Sequence, residues 1–134
     1  MIRKEAIRKG LDRRILITGN VPRHRIPELL SVCSVLVAPY MESPELHFIF
    51  PTKVPEVMAL RKPVVTARLY EIITTFKINE ELLAAEYNVV DYANKILMLI
   101  SNNSLRNKIA ENGYIRIRRD FTWEKLALKI IKSV

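Results

Sequence analysis

Apolar residues in this chain fall into short runs, separated by stretches in which they recur at helical spacing. Arg14-Ile-Leu-Ile-Thr18, Val35-Leu-Val-Ala38, Pro63-Val-Val-Thr66 and Glu81-Leu-Leu-Ala84 are the short runs. The first stops at Gly19-Asn20 and the second at Pro39, and runs bounded in this way read as strands buried on both faces. Residues 3–9 predict a short helix closed by Gly10. Pro27 opens a helix on which Ile26, Leu29, Leu30 and Cys33 share a face. A loop over 40–50 contains Pro44 and three aromatic residues. A helix over 52–60 follows, with Pro55 in its first turn, where a missing N–H costs little. Residues 69–76 also read as helix.

The remainder predicts three helices. Val89, Ala93, Ile96, Leu97 and Ile100 set the first, and Asn103 or Ser104 is expected to cap the second, which runs to Arg119 with Leu105, Ile109 and Ile115 on one side. Thr122 caps the third, whose apolar stripe is Trp123, Leu126, Ala127, Ile130, Ile131 and Val134. Strands alternating with helices predict an α/β fold with a parallel sheet of about three to four strands and a helical C-terminal tail. There is no internal repeat and no low-complexity segment.

Composition narrows the setting. With 134 residues, 49% of them hydrophobic, the chain has the size and apolar content of one ordered domain. The longest apolar run, Ile96-Leu-Met-Leu-Ile100, is far below the ~20 residues that cross a bilayer. Met1-Ile-Arg-Lys-Glu5 lacks the apolar segment of a signal peptide. Cys33 is the sole cysteine, so no internal disulfide forms. A cytoplasmic protein is therefore expected. The net charge of +8 fits phosphate-bearing ligands, nucleic acid or an anionic membrane, and equally a plain Lys/Arg/Glu-rich surface. Arg106, Lys108, Arg116, Arg118 and Arg119 make one helix basic. It reads either as a face for anionic lipid, at the inner membrane surface, or as a solvated face. No aromatic residues interleave these charges, so nucleic acid is not expected as a partner. His24 and His47 have no cysteine or carboxylate at ligand spacing, so no metal site is expected. Cys33 and Trp123 read as packing residues, Trp123 as the anchor of the last helix.

The most informative stretch is Phe48-Ile-Phe-Pro-Thr-Lys-Val-Pro-Glu-Val-Met-Ala-Leu-Arg-Lys-Pro-Val-Val65, a loop entering a short helix and then a buried strand. Thr52, Lys53 and Glu56 stand at the helix start. Free backbone N–H groups and an ammonium suit a diphosphate, and a carboxylate one turn on suits ribose hydroxyls, the two halves of a nucleotide sugar. Read locally, Lys53 and Glu56 are also a possible solvated i, i+3 ion pair.

Four pieces, in order, resemble one family. Ile17-Thr-Gly-Asn-Val-Pro22 with Ile26-Pro-Glu-Leu-Leu30, Ser34-Val-Leu-Val-Ala-Pro39, Pro51-Thr-Lys-Val-Pro-Glu-Val-Met-Ala59 with Lys62-Pro-Val-Val65, and Leu105 through Phe121-Thr-Trp-Glu124 resemble the C-terminal part of the nucleotide-sugar domain of GT-B glycosyltransferases of family 4, or group 1. The resemblance implies a partial Rossmann-like domain over 1–134. It implies that Glu56 binds donor ribose hydroxyls, that Lys53 and the amides around Thr52 face the diphosphate, and that Gly19, Asn20 and Val21 border the nucleobase. It implies transfer of a hexose, with retention, from a nucleotide diphosphate sugar to a glycan or lipid acceptor, with no metal and no further cofactor. Glu71 is a further candidate for donor contact.

The chain also departs from the pattern. A second family glutamate, eight positions before the ribose glutamate, is Phe48 here; Glu42 and Glu45 lie in the same loop out of register. The loop lacks the usual glycines, and Arg61 stands where a glycine commonly precedes the Lys-Pro pair. The acceptor domain and the first strands of the donor domain have no counterpart, so the domain is expected to be incomplete and the isolated chain inactive. A missing N-terminal chain carrying the acceptor domain, or a second copy in a homodimer, is then an expected partner. The alternative reading is a non-catalytic nucleotide-binding or oligomerisation module. A sugar-nucleotide epimerase is a third reading, lacking the poised histidine or acid pair it would need.

Overall fold

The computed structural model describes residues 1–133; Val134, expected on the last apolar stripe, and the side chains of His47 and Phe48 lie outside the described residues. The chain folds as α1 (Ile2–Arg8), α2 (Ile26–Ser31), β1 (Leu36–Ala38), α3 (Lys53–Ala59), β2 (Val64–Ala67), α4 (Tyr70–Thr75), β3 (Leu83–Ala85), α5 (Val89–Ser101), α6 (Asn103–Asp120) and α7 (Trp123–Ser133). Short 3-10 turns at Asp12–Arg14, Arg23–Arg25 and Pro44–Phe48 lie in the connections. The sheet is parallel in the order β1-β2-β3, with Leu36 opposite Val64 and Thr66 opposite Ala84.

Helices cover both faces, as a parallel sheet requires. On one face Leu36, Val64 and Ala84 pack with Val54, Val57 and Met58 of α3 and Ile72 of α4. On the other, Val65, Leu83 and Ala85 pack with Leu99 of α5. Helix α6 contributes to both layers: Ile109 joins the second and Ile117 the first. Between them Gly113 packs closely, and a Cβ there would lie 2.8 Å from the Glu81 carbonyl oxygen and 3.1 Å from Met58 Cε.

Four expectations are corrected. Residues 15–18 form no strand of the sheet, and Ile15, Leu16 and Ile17 are exposed. The outer edge of β1 has no paired strand among the described residues, so this apolar run leaves an open hydrogen-bonding row unfilled and stays outside the sheet. Asn102, not Asn103 or Ser104, caps α6: its extended backbone lets Oδ1 accept the Leu105 N–H at 2.9 Å. The buried positions of α6 are Ile109, Gly113 and Ile117, whereas Ile115 is half exposed. Trp123 is 86% exposed and anchors nothing, and Ile130 and Ile131 are exposed with it. Among the described residues of the α7 stripe only Leu126 is partly buried, because α7 packs mainly on α6. Thr122 does cap α7, accepting the Lys125 N–H at 3.4 Å.

Candidate functional site

Helix α3 is held at three places. Val54, Val57 and Met58 are buried against the sheet. At its entry, Phe50 lies 6.4 Å from the Phe76 ring and 6.1 Å from the Phe121 ring, which fastens the incoming loop to the ends of α4 and α6. At its exit, Arg61 takes φ +56, the left-handed turn that a glycine adopts without strain. The Arg61 guanidinium compensates by pairing with Glu111 at 3.1 Å and lying 4.3 Å from the Tyr114 ring centroid. The departure from glycine at this position is thus accommodated by contacts to α6.

The side of α3 turned away from the core carries Thr52, Lys53 and Glu56, all exposed. Neither Lys53 nor Glu56 makes an ion pair among the described residues, so the local ion-pair reading does not hold. Thr52 has helical backbone angles and makes no side-chain cap. The Val54 and Glu56 N–H groups are bonded to Pro51 and Thr52 carbonyls at 3.0 and 3.3 Å.

Beside Glu56 a cavity of about 310 Å³ opens between α2 and α3, lined by Arg23, Ile26, Pro27, Leu30, Glu56, Ala59 and Leu60. The walls are apolar and carry two ionic groups of opposite sign, from different elements. Gly19, Asn20 and Val21 lie on the loop leading into the Arg23–Arg25 turn; Gly19 has φ +64, and Val21 is half-buried. The structure therefore brings Glu56 to the element that follows 19–21, whereas Thr52 and Lys53 lie outside the cavity lining. Arg23 was not singled out by the sequence. Its sole sequence signal is its place two residues beyond Val21.

A second cavity, of about 430 Å³, lies past the C-terminal end of β1, lined by Val37, Tyr40, Glu42, Tyr87, Tyr92 and Ile96 among others. Burial raises the phenol pKa of Tyr40, Tyr87 and Tyr92, and the Glu42 and Glu86 carboxylates add to the rise at Tyr87. Glu42 is thereby placed beside tyrosines, apart from α3. Glu71 is half-buried in the first turn of α4 and makes no side-chain hydrogen bond or ion pair among the described residues. On the basic helix, Arg106 donates to the Leu99 and Ile100 carbonyls at 3.3 Å, Arg116 to the Thr75 carbonyl at 2.9 Å, and Arg119 pairs with Asp120. Lys108 and Arg118 are exposed. Among the described residues there is no group of three or more His, Cys, Asp or Glu placed to hold a metal ion, and no helix long and apolar enough to cross a membrane.

Comparison with known proteins identifies the family and the fold. A curated relative, an uncharacterized glycosyltransferase of Methanocaldococcus jannaschii, is 32% identical over 121 residues; the match takes in 88% of this chain, which spans only 32% of that protein's length. Among solved structures, the C-terminal domain of a group 1 glycosyl transferase, LpcC of Francisella tularensis, is 25% identical with a TM-score of 0.77, and the match covers 91% of this chain and 61% of that one. Anabaena HepE, solved with UDP and glucose, shares the fold at 21% identity and a TM-score of 0.81, over 98% of this chain and 35% of its own. The family model for group 1 glycosyl transferases matches residues 1–116. The chain, α/β with a three-stranded parallel sheet and a C-terminal helix, belongs to the group 1 glycosyl transferase family.

Proposed function

We propose that this chain is the donor-binding part of a glycosyltransferase that takes a nucleotide diphosphate sugar. The observation that carries the reading is the Glu56 carboxylate, unpaired among the described residues, in the wall of the cavity between α2 and α3, one helical turn beyond Lys53, which is likewise unpaired among them. Lys53 and the amides near Thr52 neutralise the diphosphate, with no metal required, and Glu56 holds the ribose hydroxyls and so fixes the nucleotide's orientation. The turn at Gly19, Asn20 and Val21 borders the base.

In the complete enzyme a hexose passes with retention to a glycan or lipid acceptor. The anomeric C–O bond to the diphosphate breaks while a C–O bond to an acceptor hydroxyl forms on the same face. The hydroxyl proton goes to a leaving phosphate oxygen, and Lys53 stabilises the charge that develops there. The acceptor side of the cleft comes from an N-terminal acceptor domain, and this chain alone is inactive in transfer. The enzyme works at the cytoplasmic side of the membrane. With Arg106, Arg116 and Arg119 bonded within the fold, contact with anionic lipid falls to Lys108 and Arg118.

Calorimetric titration with UDP- and GDP-sugars tests the reading. Lys53→Ala and Glu56→Ala should each weaken binding about tenfold, the worth of one charge-assisted contact at an exposed site. Unchanged binding in both variants would sink it. The outer edge of β1, unpaired among the described residues, favours a second reading, a nucleotide-binding module that pairs with another copy of itself through that edge. Light scattering decides: a strictly monomeric chain at high concentration removes the module reading.

A further inference from the structure

We propose that Arg23 selects the nucleobase: it donates to O4 of uracil or O6 of guanine, so the site takes the diphosphates of these bases over those of cytosine and adenine, which carry an amino group at the equivalent position. The inference rests on the donor-site reading above and extends it to the base.

Lys53, Glu56 and Leu60 stand at i, i+3 and i+7, on one side of α3, with rises of roughly 4.5 and 6 Å between them. A nucleoside diphosphate laid along that side places its phosphates at Lys53, its ribose at Glu56 and its base against Ala59 and Leu60. Those two residues, with Ile26, Pro27 and Leu30, are the apolar walls of the 310 Å³ cavity and suit the faces of a planar ring. Arg23 is the charged lining residue left over once Glu56 is assigned to ribose. The neighbouring Arg25 is occupied by Glu28 at 3.6 Å, whereas Arg23 has no ion pair among the described residues.

A guanidinium is all donors and no acceptor. Facing a base edge, it is matched by O4 of uracil or by O6 and N7 of guanine, the latter pair in bidentate fashion. Against N4 of cytosine or N6 of adenine it meets an amino donor instead, and one of the two groups is left without a partner. Arg23 is exposed in the free chain, so its truncation leaves the core untouched.

The test is calorimetric titration of the full chain with UDP, GDP, CDP and ADP, for the wild type, Arg23→Ala and Lys53→Ala. The wild type should bind UDP or GDP about tenfold more tightly than CDP and ADP. Arg23→Ala should lose that factor for the oxo bases and little for the amino bases, so that the preference collapses. Lys53→Ala should weaken all four alike and keep the preference. Arg23→Ala weakening all four equally assigns the side chain to phosphate and overturns the inference, as does a wild type that binds without preference. A wild type that binds none of the four overturns the donor-site reading itself, and this inference with it.

Discussion

Gly113→Ala tests how α6 holds the candidate site in place. An alanine Cβ at this position would sit 2.8 Å from the Glu81 carbonyl oxygen and 3.1 Å from Met58 Cε. The methionine end is flexible and can turn aside, but the carbonyl belongs to the backbone just before β3 and moves only if α6 or that segment moves. Overpacking of this kind costs about 1–3 kcal/mol. Alanine recovers roughly 0.5–1 kcal/mol through its better helix propensity. Because the clash is with a backbone atom, the overpacking cost falls in the upper part of its range, roughly 2–3 kcal/mol, and the net expectation is a loss of about 1–2.5 kcal/mol, which lowers Tm by roughly 3–8 °C in a domain of this size. Helix α6 also packs along α3, so a shift of α6 away from Glu81 reaches the helix carrying Lys53 and Glu56, and nucleotide binding should weaken together with stability. Urea and thermal unfolding followed by far-UV circular dichroism give the first quantity, and titration with UDP gives the second. A variant as stable as the wild type would refute the close approach of α6 to Glu81.

Asn102→Ala removes the carboxamide that caps α6 and should cost about 1 kcal/mol in urea denaturation; an unchanged midpoint would return the cap to Asn103 or Ser104. Leu99→Ala, at a fully buried position of α5, should cost about 2–5 kcal/mol, and a loss under 1 kcal/mol would contradict the packing of α5 on the sheet. Hydrogen bonds from Arg119, helped by the charge of Arg116, hold the Asp120 carboxyl below its ordinary pKa. A lowered carboxyl pKa adds stability above the unfolded value, near pH ~4, and that stability disappears as pH falls through the folded value. The gap between wild type and Asp120→Asn should therefore be present at neutral pH and close in acid; a gap constant with pH would remove the ion pairs from the account. Trp123 is the sole tryptophan, so fluorescence reports on α7 directly. Its emission should resemble that of a water-exposed indole and be quenched freely by iodide in the native chain, whereas protected emission would show that the α7 stripe is covered in solution.

Three of the four expected strands and all of the expected helices were legible because their signals are local. An apolar run bounded by proline or glycine, and a stripe repeating every three to four residues, carry the information within a few residues of where it is used. That Lys53 and Glu56 share one short helix was legible for the same reason. Arg61 was visible as an oddity, but its left-handed turn is tolerable only because Glu111 and Tyr114 stand over it from α6.

What the local pattern decided was which segments are helix and which are apolar and extended. What the tertiary structure decided was which of those segments are buried. Arg14-Ile-Leu-Ile-Thr18 has the same character as Val64–Ala67, yet one is exposed and the other wholly buried, because only a run inside the sheet is covered by a helix on each face. The α7 stripe is as regular as that of α5, yet only α5 finds a sheet to cover. The placement of Arg23 beside Glu56 follows from the packing of α2 against α3, and no spacing in the sequence encodes that contact.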